Sequence, residues 1–165
     1  MCSGKKIVNV VINSNNAISG STNNNATYNI DWGSILKPRQ AYKLHFTYTG
    51  QPNTFTSVTK LAQIMIDFNL EQYTTTSTSG THTTMTIGCL RSIYLNGTLN
   101  YLFSDDINNP PTYLHSRPQN NTFRVQVVTN DTTPVAWTDN AATPVANSNY
   151  ILILSFQEID NGDEY

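Results

Sequence analysis

The segment Asn149 to Ile159, NYILILSFQEI, is apolar on both sides when laid out as a strand. Side chains two apart share a face. Tyr150, Leu152, Leu154 and Phe156 therefore lie on one side, and Ile151, Ile153 and Ile159 on the other. An antiparallel strand over a single core alternates apolar with polar residues and leaves one face to water. A strand apolar on both sides needs cover on both sides. The other candidate elements are strands as well, so the second cover is expected from another subunit.

Composition supports an all-β chain. Of the 165 residues, Asn, Thr and Ser together make about a third, and only 12% are charged. Few residues are strong helix formers. Thr, Tyr, Val and Ile favour strands, and Asn and Ser favour the turns between them. Apolar residues cluster in regular runs, so residues 1–165 read as one domain, with the acidic tail 160–165 frayed.

Lys5 to Ile12 reads as a first strand, with Val8, Val10 and Ile12 on one face and Ile7 and Val11 on the other. The polar run Asn13 to Asn25 reads as a long loop, followed by a short strand at Thr27 to Ile30. Ala41 to Thr49 alternates cleanly, placing Tyr42, Leu44, Phe46 and Tyr48 inward and Lys43, His45 and Thr47 outward. Leu61 to Phe68 sets Ala62, Ile64, Ile66 and Phe68 against a mixed face of Leu61, Gln63, Met65 and Asp67. Thr74 to Thr84 reads as a loop. Met85 to Leu95 is a strand interrupted by Gly88 and Arg91, which predicts a bulge or bend. Asn96-Gly97 signals a hairpin to Leu99 to Phe103. A turn-rich stretch, Ser104 to Pro111, precedes a short strand at Thr112 to Leu114. Thr122 to Thr129 points Phe123, Val125 and Val127 inward and Arg124 and Gln126 outward. A last loop leads to the closing strand. Eight or nine strands with long loops predict a single jelly roll, a Greek-key sandwich of two four-stranded antiparallel sheets. An immunoglobulin-like sandwich is the competitor, weakened by the missing Cys–Trp–Cys pattern and by wide strand spacing.

The residues make no case for an enzyme. His45, His82 and His115 are scattered, without metal-ligand spacing, so no metal and no cofactor is expected. Asp105, Asp106, Asn108 and Asn109 lack the spacing of a calcium loop and read as a polar turn. Asp67 and Glu158 read as solvent-facing. No nucleophile elbow or phosphate loop occurs. Cys2 and Cys89 are expected to be a free terminal thiol and a small buried residue. The four N-x-[ST] sequons, at Asn25, Asn96, Asn120 and Asn130, match what such a composition yields by chance. With net charge −2 and no basic tail beyond Lys5 and Lys6, direct nucleic-acid binding is not expected. No apolar run reaches membrane-spanning length, and neither a secretion signal nor membrane insertion is expected. Tyr28, Trp32, Tyr42, Tyr48, Tyr101 and Tyr113 are candidates for stacking on sugar rings, which keeps a glycan-binding or host-attachment domain as the alternative function.

Four segments together carry a resemblance: VNVVINSNNAISGSTNNNATYNIDW at the start, AYKLHFTYTG, PPTYLHSRPQNNTFRVQVV, and the closing NYILILSFQEI. In order and length they resemble the single jelly-roll minor capsid and penton proteins of large icosahedral double-stranded DNA viruses. The resemblance implies a structural capsid protein with no catalytic residues, working in the virion after assembly in the host cytoplasm. Its partners would be itself, as a homopentamer if it forms the fivefold vertex, and neighbouring capsid proteins. In such a jelly roll the first and last strands pair centrally, flanked by the strand at Leu61 to Phe68. The exposed face of that sheet would then carry Ile7, Val11, Met65, Ile151 and Ile153 as the interface. The opposite sheet would show Lys43, His45, Arg124 and Gln126.

Overall fold

A computed structural model describes residues 6–22, 25–50, 62–68, 77–79, 82–95, 98–104, 109–129 and 150–159. The strands are β1 (Ile7–Asn13), β2 (Ser19–Thr22), β3 (Asn25–Asn29), β4 (Tyr42–Gly50), β5 (Ala62–Ile66), β6 (Ser77–Ser79), β7 (His82–Leu95), β8 (Thr98–Ser104), β9 (Thr112–Leu114), β10 (Thr122–Thr129) and β11 (Tyr150–Glu158). One short helix, α1 (Trp32–Ile35), follows β3. Nine strands lie in the order β1-β11-β4-β8-β7-β5-β10-β3-β2, while β6 pairs with β7 and β9 with β4. Every pairing is antiparallel. The result is one strongly curled sheet, a half-barrel whose concave side holds the core.

The period-2 readings hold on the concave side. Tyr42, Leu44, Phe46 and Tyr48 of β4, Phe123, Val125 and Val127 of β10, and Tyr150, Leu152, Leu154 and Phe156 of β11 are all buried. Alternation forces this outcome, since one apolar set per strand removes itself from water together with those of its neighbours. At the centre stands Trp32, delivered by α1. Asp31 caps that helix, its Oδ1 accepting from the Gly33 amide at 3.1 Å. The Trp32 ring packs edge-on against Phe68 at 5.5 Å and touches Phe123 and Phe156 at 5.4 and 5.5 Å. Its indole N–H donates to the Asn120 carbonyl at 3.0 Å, which satisfies a polar group that burial would otherwise penalise.

Several local expectations are corrected. The run Asn13 to Asn25 is not a plain loop: it contains a 3-10 turn, Ser14–Asn16, and β2, which folds back on β3. Thr74 to Thr84 likewise contains β6, hydrogen-bonded to the start of β7. Polar Ser and Thr mask strand character when the strand packs little, so hydropathy misses it. The strand at Leu61 to Phe68 does not flank the first and last strands. It lies between β7 and β10, and β4 takes the place beside β11. The interruption at Gly88 is a bulge, with Ile64 opposite Gly88 and Met65 opposite Thr86, leaving Ile87 as the extra residue. Leu95 pairs with Thr98 across the two-residue gap where the hairpin signal stood. That turn itself, the 105–108 stretch, Cys2 and the tail 160–165 lie outside the described residues.

Three tyrosines close one end of the core. The Tyr28 and Tyr150 hydroxyls share a hydrogen bond at 2.6 Å, and Tyr150 stacks on Tyr48 at 5.2 Å. The Tyr48 hydroxyl sits where a Cβ on Gly50 would stand, 2.7 Å away, so glycine ends β4 for lack of room. Burial holds the Tyr48 and Tyr150 phenols well above the usual 10, and raises that of Tyr28. In the unfolded chain the same phenols ionise near 10. Above that pH the unfolded state releases protons that the folded state keeps, so stability complete below pH 10 falls as pH rises further. Urea midpoints measured from about pH 9 to 11 are expected to drop more steeply in the wild type than in Tyr48→Phe, which has lost one buried phenol.

Candidate functional site

The convex side of β1, β11 and β4 is a grid whose rows follow from the register. Residues directly opposite each other share a face. The rows are Ile7–Gln157–Lys43, Asn9–Ser155–His45, Val11–Ile153–Thr47 and Asn13–Ile151–Thr49. Ile7 is 56% exposed, Val11 63% and Ile151 47%. Ile153 is half-buried between Val11 and Thr47. Val11, Ile153 and Ile151 thus form a continuous apolar strip on adjoining strands, and Ile7 lies beyond the Asn9–Ser155 row. No described residue covers it. The segment after β1 turns instead towards the tyrosine end, where Ser14 is buried and its Oγ accepts from the Tyr150 amide at 3.1 Å, while Ala17 packs on the core.

Four of the five residues expected on the interface share this face, and Met65 does not. Met65 lies on β5, four strands away from β11 along the sheet order, and is only 5% exposed. Hydropathy shows which side of a strand a residue takes, but not which strand lies next to it. That limit also overturns the expected contrast between an apolar and a polar sheet. Lys43 and His45 stand on β4, immediately beside the apolar strip, and Arg124 and Gln126 on β10 are half-buried. The strip is therefore narrow and framed by polar side chains. Tyr113 of β9, one of the sugar-stacking candidates, lies opposite Lys43 at the margin of this face, is exposed, and has the Lys43 Nζ 5.5 Å from its ring centroid. The alternation of Thr112 to Leu114 already implied an outward Tyr113.

The other candidate residues do not converge. Tyr28, Trp32, Tyr42 and Tyr48 are buried, where no sugar reaches them. The Tyr101 and His82 side chains lie outside the described residues. His45 is exposed on β4, and His115 is exposed in the bend just after β9. Asp67 is buried rather than solvent-facing, and Glu158 forms an ion pair with Lys37 at 3.0 Å. Cys89, expected inside, is exposed, because the bulge turns it to the convex side. Asn109 brackets its backbone, accepting from the Cys89 amide at 2.7 Å and donating to its carbonyl at 2.9 Å. Among the described residues no group of three or more His, Cys, Asp or Glu is placed to hold a metal ion. What the convex grid offers chemically is apolar surface with hydrogen-bonding groups at its margins, the make-up of a contact surface. No protein-family model matches the chain, and no curated protein matches it in sequence.

Proposed function

We propose that this protein is a structural capsid component of a large icosahedral double-stranded DNA virus, acting by self-association and by contact with neighbouring capsid proteins. The observation that carries the reading is the apolar strip of exposed Val11 and Ile151 with half-buried Ile153 between them, bordered by polar side chains. Apolar side chains held in register on a rigid sheet lose contact with water only when another surface seals them. The strand order supports the finer fold. The halves β1-β11-β4-β8 and β7-β5-β10-β3 follow the order in which the two sheets of a single jelly roll are wound. The low charge is in keeping with a shell that does not touch its genome.

The mass of the protein in solution tests the reading and its two positions in the shell. A pentamer fits the fivefold vertex, and a species that assembles only with other capsid proteins fits a minor position. Ile153→Asp is expected to weaken assembly at least about tenfold, since a carboxylate sealed in an apolar contact loses its hydration. Circular dichroism of the monomer should be unchanged, because Ile153 points away from the core. An oligomer of unaltered mass and affinity in the variant would remove the strip from the interface.

A further inference from the structure

β1 is incomplete on three sides at once. Among the described residues it pairs only with β11, and its other edge carries no ladder. The Glu158 amide donates to the Lys6 carbonyl at 3.0 Å, so Lys6 and Glu158 form a hydrogen-bonded pair. Alternation along an antiparallel ladder then turns Val8, Val10 and Ile12 to β11, and the N–H and C=O groups of Ile7, Asn9, Val11 and Asn13 to the free edge. On the convex face Ile7 and Val11 are exposed. On the concave face Val8 and Val10 stay half-buried, although their partners Phe156 and Leu154 are fully buried. The usual protections of an edge are missing: Ile7–Asn13 holds no charge, proline or glycine, and its register with β11 runs without a bulge.

Only an extended strand completes all three sides together. A lipid or a small apolar ligand covers side chains but leaves the edge amides and carbonyls unpaired. We infer that the occupant is β1 of a second copy, added antiparallel across a twofold axis at Asn9. That register sets Ile7 against Val11 of the second copy and Asn9 against its own counterpart on the convex face, and Val8 against Val10 on the concave face. Apolar meets apolar on both sides, no like charges oppose one another, and the residues whose backbone groups face the free edge become the hydrogen-bonded pairs. Among the described residues, β2 at the other end of the sheet order is short, polar and irregular in register, and the edge strands β6 and β9 have three residues each, so these edges offer a poorer match. An isologous contact closes at two copies. The inference rests on the self-association reading, and within it favours a minor position in the shell over the vertex.

The test uses the full chain with Cys2 and Cys89 replaced by serine. Asn9→Cys is expected to form a disulfide-linked dimer on mild oxidation, since hydrogen-bonded antiparallel partners place their Cα atoms about 5.5 Å apart. Ser155→Cys, one strand further in on the same face, is expected to remain uncrosslinked. Asn9→Pro removes an edge donor without touching the β11 ladder, and is expected to weaken dimerisation at least tenfold by sedimentation while circular dichroism stays native. A wild-type oligomer whose Asn9→Cys form does not crosslink would overturn the β1 contact and leave self-association standing. A wild-type chain that is monomeric at every concentration, alone and with capsid partners, would overturn both.

Discussion

Trp32→Ala is expected to cost about 3–5 kcal/mol, the range for emptying a large aromatic from a packed core. The reason lies in how many elements meet at one ring. Trp32 touches Phe68 after β5, Phe123 of β10 and Phe156 of β11, and it ties α1 to the 120 carbonyl. Removing it opens a cavity between both flanks of the curled sheet. A total stability of about 5–15 kcal/mol makes that loss decisive. Urea unfolding should show the midpoint fall, and Trp32→Phe separates the causes. Phenylalanine retains most of the apolar volume but drops the indole hydrogen bond, so a loss nearer about 1–2 kcal/mol is expected. Equal losses in the two variants would mean the ring's volume matters little.

Gly88→Ala is expected to be the most damaging substitution of one methyl group. In most strands replacing glycine by alanine is favourable by about 0.5–1 kcal/mol. Here a Cβ would run into the edge of the buried Phe46 ring and into the Asn109 Oδ1. Phe46 is held by the core, and Asn109 is held by its two bonds to Cys89. Overpacking of this kind costs about 1–3 kcal/mol. Thermal unfolding of Gly88→Ala alone and with Phe46→Leu would test it, since the smaller, flexible leucine should restore part of the loss. A single variant as stable as the wild type would show that the bulge yields freely.

Much of this architecture is legible in the residues because one face of each strand is buried. Val125 between Arg124 and Gln126, or Leu44 between Lys43 and His45, has only one way to point once a core exists. Strand adjacency is not written in that code. Met65 and Ile151 look alike in the sequence, both apolar residues on the second side of a strand, yet the sheet order separates them. Burial on the second side also escapes a period-2 reading, as Asp67 shows. The β2 and β6 segments escape hydropathy for a different reason: their Ser, Thr and Gly residues form ladder hydrogen bonds without an apolar signal. In the convex strip, Ile7, Val11, Ile151 and Ile153 could be found from sequence because each breaks the polar half of the alternation. Their arrangement in adjoining rows needed the register.

The position of β11 governs the order in which this protein can be made. Its nine residues pair along their length with β4, and its central part with β1, whose own residues are made 138 positions earlier at the Asn13–Ile151 pair and 150 earlier at the Ile7–Gln157 pair. Until residues 150–158 emerge, β1 and β4 each lack the neighbour that completes their ladder, and the aromatic cluster lacks Phe156. A nascent chain therefore carries two unsatisfied apolar edges through most of translation, with the slow closure that distant strand pairing imposes. A cell producing many copies would need chaperone protection for that interval, and chains cut short before residue 150 would be the first to aggregate.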